Sequence, residues 1–152
     1  MHLQQSRAEQ SKTNLVEVDL SKWDVSNITN MQAMFGKCSV FNGDLSSWTV
    51  SNITNMDGMF QSCSVFNSDL SGWIVGKVAR MGSMFQECLV FNSDLWNWNM
   101  SNVIDMSWIF FSATTFNQNL SKWEFNIVDG PSRVDWCEHA LICTDANKWP
   151  QF

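Results

Sequence analysis

The sequence predicts an α/β repeat solenoid, with a parallel β-ribbon on one side and short helices on the other. Near-copies of one 25-residue unit follow each other without an insertion or deletion, and they begin at Asp19, Asp44, Asp69, Asp94 and Asn119. A constant period in this range is typical of proteins in which each unit buries its apolar face against its neighbours. Because about three units suffice for stability, the five units predict one folded domain.

Apolar residues at the start of each unit predict the strands of this ribbon. Leu20, Trp23 and Val25 follow the spacing L-x-x-L-x-L, with Trp in the middle apolar position. Trp23 and Val25 are two residues apart, so both side chains point to one side of an extended chain. Stacked in register, such segments form a parallel sheet with strands about 4.8 Å apart. The same positions hold Leu45, Trp48, Val50; Leu70, Trp73, Val75; Leu95, Trp98, Met100; and Leu120, Trp123, Phe125.

A second apolar pattern predicts a short helix later in each unit. Met31, Met34, Phe35 and Cys38 are related by offsets of three, four and seven residues, which place them on one stripe of a helix. The dipeptide Asn42-Gly43 then turns the chain into the next strand. Each unit is therefore expected to contain a strand, a short helix and a turn.

These units divide the chain into three parts. Residues 1–18 are expected to form an N-terminal arm with a capping strand, residues 19–125 the five-repeat solenoid, and residues 126–152 a C-terminal cap. Residues 1–14 are polar and lack the apolar core of a secretory signal. Trp136, Trp149 and Phe152 supply apolar surface with which the cap could close the open end of the solenoid.

The repeat also resembles a known family. The segment Phe41-Asn-Gly-Asp-Leu-Ser-Ser-Trp-Thr-Val-Ser-Asn-Ile-Thr-Asn-Met-Asp-Gly-Met-Phe60 is similar to the repeat of BspA-like leucine-rich-repeat surface proteins. That repeat is known from mycoplasma lipoproteins, other bacteria, and algal and other protist proteins. The resemblance covers residues 19–125 and implies a leucine-rich-repeat-like solenoid used for protein contact or adhesion. It implies no active site.

Composition and charge exclude several classes of function. The net charge is −6, and the nine Lys and Arg residues are scattered rather than clustered. Binding of nucleic acid or of an anionic membrane surface requires clustered basic residues, so neither is expected. No segment approaches the roughly eighteen consecutive apolar residues of a membrane span, so no transmembrane segment is expected. We expect no cofactor and no metal.

Polar and aromatic residues recur in register along the units. The tryptophans of the strand positions are expected to fill the core, although stacking on bases or sugar rings is the alternative. A turn asparagine recurs as Asn42, Asn67, Asn92 and Asn117, and an acidic residue as Asp44, Asp69 and Asp94. Such residues usually satisfy backbone groups that a turn leaves unpaired. A calcium site is the alternative, because carboxylate and amide oxygens suit that ion.

The five cysteines form two groups. Cys38, Cys63 and Cys88 share one position of the unit, and Ala113 replaces them in the fourth copy, which indicates free core thiols. Cys137 and Cys143 lie beyond the repeats and are candidates for a disulfide that staples the cap. Such a bond would imply an oxidising compartment. His139 lies two residues from Cys137, so a Cys–His nucleophile is the catalytic alternative.

Four sequons for N-linked glycosylation are present, at Asn27, Asn52, Asn99 and Asn119. The first two belong to the repeat itself and therefore say little about secretion. Asn99 occupies an outward strand position and is the glycosylation candidate to test first.

Residues that point outward from the predicted strands are the candidates for a binding face. Most of them are small and polar, but Ile74 and Trp96 break that pattern. Exposed aromatic residues often anchor interfaces, so Trp96 is a candidate contact residue together with its neighbours Asn97 and Asn99. Coverage of Trp96 by the cap is the alternative. Trp108 and Phe111 are expected to lie under the cap.

The third unit carries an unusual pair of cations. Where its neighbours have Ser-Asn-Ile-Thr-Asn, this unit has Gly76-Lys-Val-Ala-Arg80. Lys77 and Arg80 therefore add positive charge to an otherwise acidic surface, either as a docking point or through drift of the repeat.

The function that these patterns favour is a non-catalytic protein–protein interaction or scaffold module, such as an accessory subunit of a larger assembly. Its expected partners are proteins. The alternative is a secreted or cell-surface adhesin that binds glycan or matrix. An extracellular or organelle-lumen location is favoured over the cytoplasm. Enzymatic activity is not expected.

Overall fold

The computed structural model of the chain describes residues 19–126 and 130–152. Within these ranges the helical elements are three short 3₁₀ helices, Leu20–Lys22, Leu141–Thr144 and Ala146–Lys148. Strand pairing is limited to four isolated parallel bridges, Asn30 with Asn55, Asn55 with Arg80, Arg80 with Asp105, and Asp105 with Ser132. The predicted arm and capping strand, residues 1–18, lie outside the described residues.

The predicted α/β solenoid with a parallel β-ribbon is therefore wrong, and so is the leucine-rich-repeat-like solenoid that the resemblance implied. Within the described ranges the chain forms no sheet and no helix longer than four residues. It is built from turns. Each 25-residue unit forms one coil, and equivalent residues of successive coils pair with each other.

Left-handed backbone conformations prevent the predicted helices. In the first coil, Ala33 and Lys37 have φ angles of 53° and 65°. A right-handed helix cannot continue through residues in the left-handed region. The equivalent residues of later coils also have positive φ, namely Gly58, Ser62, Ser83, Glu87, Trp108 and Ser112.

Tight turns likewise replace the predicted strands. The amide of Trp48 donates to the carbonyl oxygen of Leu45 at 3.0 Å, and the amide of Ile53 donates to that of Val50 at 3.0 Å. Hydrogen bonds between residues three apart belong to turns and are incompatible with an extended strand. The alternation of inward and outward side chains survives, because Trp48 and Val50 are buried while Thr49 between them is exposed.

Backbone hydrogen bonds link neighbouring coils in the segment for which the sequence predicts a helix. The amide of Ala33 donates to the carbonyl oxygen of Asp57 at 2.8 Å, and the amide of Phe35 donates to that of Met59 at 2.9 Å. In the other direction, the amide of Thr54 donates to the carbonyl oxygen of Thr29 at 2.8 Å. These bonds satisfy backbone groups that would otherwise be buried without partners.

Two columns of phenylalanine rings form the centre of the core. Phe35 and Phe60 stack with ring centroids 5.5 Å apart, and Phe41 and Phe66 stack at 5.8 Å. The two columns also touch, because the centroids of Phe35 and Phe41 are 4.2 Å apart. Aromatic contacts of this kind stabilise a core by about 0.5–1.5 kcal/mol each beyond the burial of their area.

The segment after the gap adds one more turn to this stack. The amide of Trp108 donates to the carbonyl oxygen of Val134 at 2.8 Å, and the amide of Phe110 donates to that of Trp136 at 2.7 Å. The ring of Trp136 lies edge-on to the ring of Phe110, with centroids 6.4 Å apart. Residues 132–138 therefore cover the last complete coil.

Trp108 and Phe111 were both expected under this segment, and the structure separates them. The ring of Phe111 contacts the ring of His139, with centroids 5.6 Å apart. The side chain of Trp108 is 42 % exposed, so the expectation that the cap covers it is wrong.

In the part of the chain that the structure describes, no helix has the length and apolarity needed to cross a bilayer.

Candidate interaction site

The asparagine ladder bonds to the backbone of the neighbouring coil. The side-chain oxygen of Asn42 accepts a hydrogen bond of 2.8 Å from the amide of Asn67. The side chain of Asn67 does the same for Asn92, and that of Asn92 for Asn117. The side chain of Asn117 accepts from Lys148 Nζ at 2.9 Å. These amides are therefore engaged in holding the turns in register.

The aspartates at the start of the coils cap turns. The carboxylate of Asp44 accepts the amide of Ser46 at 2.9 Å, and that of Asp69 accepts the amide of Ser71 at 2.9 Å. These hydrogen bonds lower the pKa of both carboxyl groups below the usual value. Among the described residues, no group of three or more His, Cys, Asp or Glu side chains could hold a metal ion. The calcium alternative finds no ligand cluster in this part of the chain.

The thiols of the repeats are buried and protonated at neutral pH. The Sγ atoms of Cys63 and Cys88 each lie 3.0 Å from a carbonyl oxygen, those of Phe35 and Phe60. Burial raises the pKa of Cys63, and it raises the pKa of Cys88 to about 12. A thiol that remains protonated is neither a nucleophile nor a metal ligand at neutral pH.

Cys137 and Cys143 are joined by a disulfide, with their Cα atoms 5.6 Å apart. Cys137 is buried, and its thiol is consumed by this bond. The neighbouring His139 is exposed and lies 3.7 Å from a carboxylate oxygen of Glu138. In this oxidised state, Cys137 and His139 do not form a nucleophile pair, because the nucleophile must be a thiolate.

The structure exposes the predicted apolar contact residues. Ile74 is 70 % exposed and Trp96 is 46 % exposed. Asn97 and Asn99 are also exposed, and the side-chain oxygen of Asn99 accepts a turn hydrogen bond of 3.0 Å from the amide of Ser101. The equivalent positions of other coils carry mostly small or polar residues. Ile74 and Trp96 lie in neighbouring coils.

Lys77 and Arg80, the two cations of the third unit, have different hydrogen-bond partners. Lys77 Nζ donates to the side-chain oxygen of Asn52 at 2.8 Å. Arg80 donates from Nε to Asp57 at 2.6 Å and from Nη2 to Asp105 at 3.3 Å. The hydrogen bond to Asp57 raises the pKa of Arg80. Arg80 is thus neutralised by two carboxylates that belong to the coils on either side of it.

An exposed aliphatic stripe was missed by the sequence analysis. Val40, Val65 and Val90 occupy the same position of three successive coils, and all three are exposed, as is the adjacent Leu89. Their recurrence was visible in the sequence. In the sequence each valine stands directly before a buried phenylalanine, Phe41, Phe66 or Phe91, so it reads as the outer member of an apolar pair. The stacking of the coils turns single exposed residues into a continuous surface.

A second surface was missed around Trp108, because it depends on which coils are neighbours. Trp108, Arg80, Asp57 and Asp105 line one cleft, although they belong to three different coils. The signal in the sequence was the single large residue at a position that holds Ala33, Gly58 or Ser83 in the other copies.

Comparison with known proteins yields one match. A family model described as "Mycoplasma protein of unknown function, DUF285" matches residues 4–130, a range that contains the four complete coils, residues 19–118. No curated protein and no solved structure matches the chain. Since the matched range is well over half of the 152 residues, the chain belongs to the family described as Mycoplasma protein of unknown function, DUF285.

Proposed function

We propose that the chain is a non-catalytic protein-interaction or scaffold module that serves as a subunit of a larger assembly. The observation that carries this proposal is the exposure of Ile74 and Trp96 at positions where the other coils carry mainly small or polar residues. Water contact with large apolar side chains is unfavourable. Burying a fully exposed apolar side chain stabilises a complex by about 1.5–3 kcal/mol, and burying a partly exposed one stabilises it by less.

The repeat architecture supports the same proposal. In the described coils the apolar side chains are packed in the core, and the core thiols are buried and protonated. These side chains stabilise the fold and do not contact a partner. Function is then expected on the outer surface, where departures from the repeat create local chemistry. The resemblance of the repeat to that of BspA-like surface proteins also favours a contact role.

The experiment is a matched pull-down from an extract of the source cells. Trp96→Ser and Ile74→Thr place residues from the equivalent positions of other coils, Ser71 and Thr49, at the exposed sites. Both variants should fold. Because exposed aromatic and aliphatic anchors dominate interfaces, the double variant should lose its partner by tenfold or more.

The control is Val65→Thr, which places the residue found at Thr115 on the aliphatic stripe. It should retain the partner if Trp96 and Ile74 form the contact. Equal recovery of the same proteins by the wild type and the double variant would contradict the proposal, as would recovery of the free chain alone.

A secreted or cell-surface adhesin that binds glycan or matrix is the second candidate. The disulfide between Cys137 and Cys143 and the exposed sequon at Asn99 favour it, because both suit an oxidising compartment. Mass spectrometry of protein from the source cells should find the disulfide and a glycan on Asn99. Free thiols and an unmodified Asn99 would contradict this candidate without affecting the first.

A further inference from the structure

A shallow cleft of about 270 Å³ opens beside the segments for which the sequence predicts helices. Its polar side chains include those of Gln32, Asp57, Arg80 and Asp105, and Trp108 forms part of its wall. Small-molecule sites usually combine an apolar surface with a few placed polar groups, and they start at about 300 Å³. The cleft has that composition and is close to the smallest usual size.

Small residues keep the floor of the cleft open. Gly58, Gly82 and Ser83 line it. A Cβ atom added to Gly82 would lie 3.2 Å from Oδ1 of Asp57 and 3.6 Å from Oδ2 of Asp105. A larger residue at position 82 would therefore crowd both carboxylates and reduce the open space between them.

Trp108 departs from the repeat in its size and exposure. It is 42 % exposed. Its φ angle of 56° belongs to the repeat, because Ala33, Gly58 and Ser83 at the equivalent positions also have positive φ. Those three residues are smaller than tryptophan. The backbone of the repeat therefore does not need an exposed tryptophan at this position.

The polar groups of the cleft combine donors and acceptors with little net charge. Arg80 lies between the carboxylates of Asp57 and Asp105, so the cluster carries one negative charge in total. One oxygen of Asp57 also accepts the amide of Gly82, and one oxygen of Asp105 accepts the amide of Ser107. These bonds fix both carboxylates in place. A guanidinium has five N–H donors, of which these two ion pairs use only part.

We propose that this cleft binds a saccharide ring. One face of a pyranose presents C–H groups that pack on an aromatic surface such as Trp108, and its hydroxyl groups both donate and accept hydrogen bonds. Carboxylates and a guanidinium, held rigidly beside that ring, match those hydroxyls in both directions. An anionic ligand would be repelled by the two aspartates. A cationic ligand would compete with Arg80 for the same oxygens.

A saccharide site in this cleft rests on the second candidate function, the adhesin that binds glycan, and gives that function a binding site. The protein-contact proposal depends on Trp96 and Ile74, neither of which lines the cleft. Either proposal can therefore fail while the other stands. The glycosylation and disulfide measurements do not involve the cleft at all.

The test is saturation-transfer difference NMR with glucose, galactose, mannose, N-acetylglucosamine and N-acetylgalactosamine, each at millimolar concentration. A single ring in a shallow site is expected to bind with a Kd near the millimolar range. The intact chain should transfer saturation to C–H protons of at least one sugar. Trp108→Ser, which copies Ser83 at a φ of 56°, should abolish that signal. The matched control Trp96→Ser removes an exposed tryptophan elsewhere and should retain it.

A second variant acts on the polar side of the cleft. Arg80→Asn copies Asn30 and Asn55 at the equivalent positions, and it should weaken the same signal roughly tenfold by removing charge-assisted donors. If Trp108→Ser does not fold, this variant decides the question. The proposal is overturned if none of the five sugars receives saturation, or if the signal is unchanged in the folded cleft variants.

Discussion

The indole N–H of Trp73 donates a hydrogen bond of 3.0 Å to the carbonyl oxygen of Leu45, one coil earlier in the chain. The backbone amide of Trp48 donates to the same oxygen, also at 3.0 Å. Equivalent indole bonds join Trp48 to Leu20, Trp98 to Leu70, and Trp123 to Leu95. The tryptophan ladder therefore links coils at the positions where the sequence predicted sheet hydrogen bonds.

This relationship predicts the effect of Trp73→Phe. The variant keeps an aromatic ring in the core but removes the indole donor and leaves a small void. The free energy of unfolding should fall by about 1–2 kcal/mol, the usual contribution of one buried hydrogen bond together with a small loss of packing. Urea denaturation measures the change. Trp96→Phe, at an exposed position, should shift it by less than about 0.5 kcal/mol. Equal effects of the two substitutions would show that the indole bond does not contribute.

A second prediction concerns the asparagine ladder. Asn67→Ala removes the oxygen that accepts the amide of Asn92 at 2.8 Å. The free energy of unfolding should fall by about 1 kcal/mol, since the amide loses its partner at a partly solvated site. Thermal unfolding followed by circular dichroism measures the loss. Ser68→Ala, which removes the neighbouring hydroxyl bonded to the carbonyl oxygen of Gly43, tests the specificity of the effect. A larger loss in Ser68→Ala would contradict the prediction.

A third prediction concerns the buried thiols. Cys63 and Cys88 have no exposed surface, and burial raises the pKa of both. Neither should react with a thiol reagent such as 5,5′-dithiobis(2-nitrobenzoic acid) near pH 8 in the native state, because the reactive thiolate is almost absent. Both should react as soon as urea unfolds the chain. Peptide mapping of the labelled protein identifies the sites. Rapid native labelling of Cys88 would contradict the packing described here.

The turn aspartates predict a dependence of stability on pH. Hydrogen bonds from Ser46 and Ser71 hold the pKa values of Asp44 and Asp69 below the ordinary value of an aspartate in the folded chain. A carboxyl group whose pKa is lower in the folded state stabilises that state above its unfolded pKa, and the contribution is lost as the pH falls. The Tm should therefore decrease below about pH 4.

The double variant Asp44→Asn/Asp69→Asn isolates that effect. Asn119 occupies the equivalent position and accepts the amide of Ser121 at 3.0 Å, so the turn bond survives without a charge. The Tm of the variant should change less between about pH 5 and pH 2 than that of the wild type. Glu124→Gln, which removes an exposed carboxylate outside these turns, should retain the acid sensitivity. Parallel acid profiles for the wild type and the double variant would refute the assignment.

The buried set was readable from the sequence, whereas the secondary structure was not. Trp48, Val50, Met56 and Phe60 were all placed on inward faces, and all four are buried. A chain that turns at regular intervals can also bury side chains that are two, three or four residues apart. The pattern fixes which side chains avoid water, but it does not fix the φ angles between them.

The left-handed residues are the reason for the error. Lys37 and Glu87 adopt φ angles of 65° and 59°, although neither is a residue that favours that region. Local preference argues against these conformations. They are maintained by hydrogen bonds between coils, such as that from the amide of Lys37 to the carbonyl oxygen of Gln61 at 2.6 Å. Contacts between residues far apart in sequence override local propensity here.

The two candidate sites differ in how much of each the sequence predicts. The exposure of Trp96 and Ile74 follows from their outward positions, which the repeat itself defines. The pairing of Arg80 with Asp57 and Asp105 does not, because it requires three coils to stack in register. Through that stacking, Arg80, which the sequence offers as a docking cation, becomes part of a polar cleft.

Residue type and spacing alone are enough to predict the period, the number of repeated units and the division between inward and outward side chains. Each of these follows from hydrophobic burial, which depends on residue type and spacing. Three features require the folded chain: the units are built from turns, indole groups link them, and Trp108 is exposed in the cleft that Arg80 also lines. These features depend on hydrogen bonds and contacts between coils, and such contacts exist only once the coils are stacked.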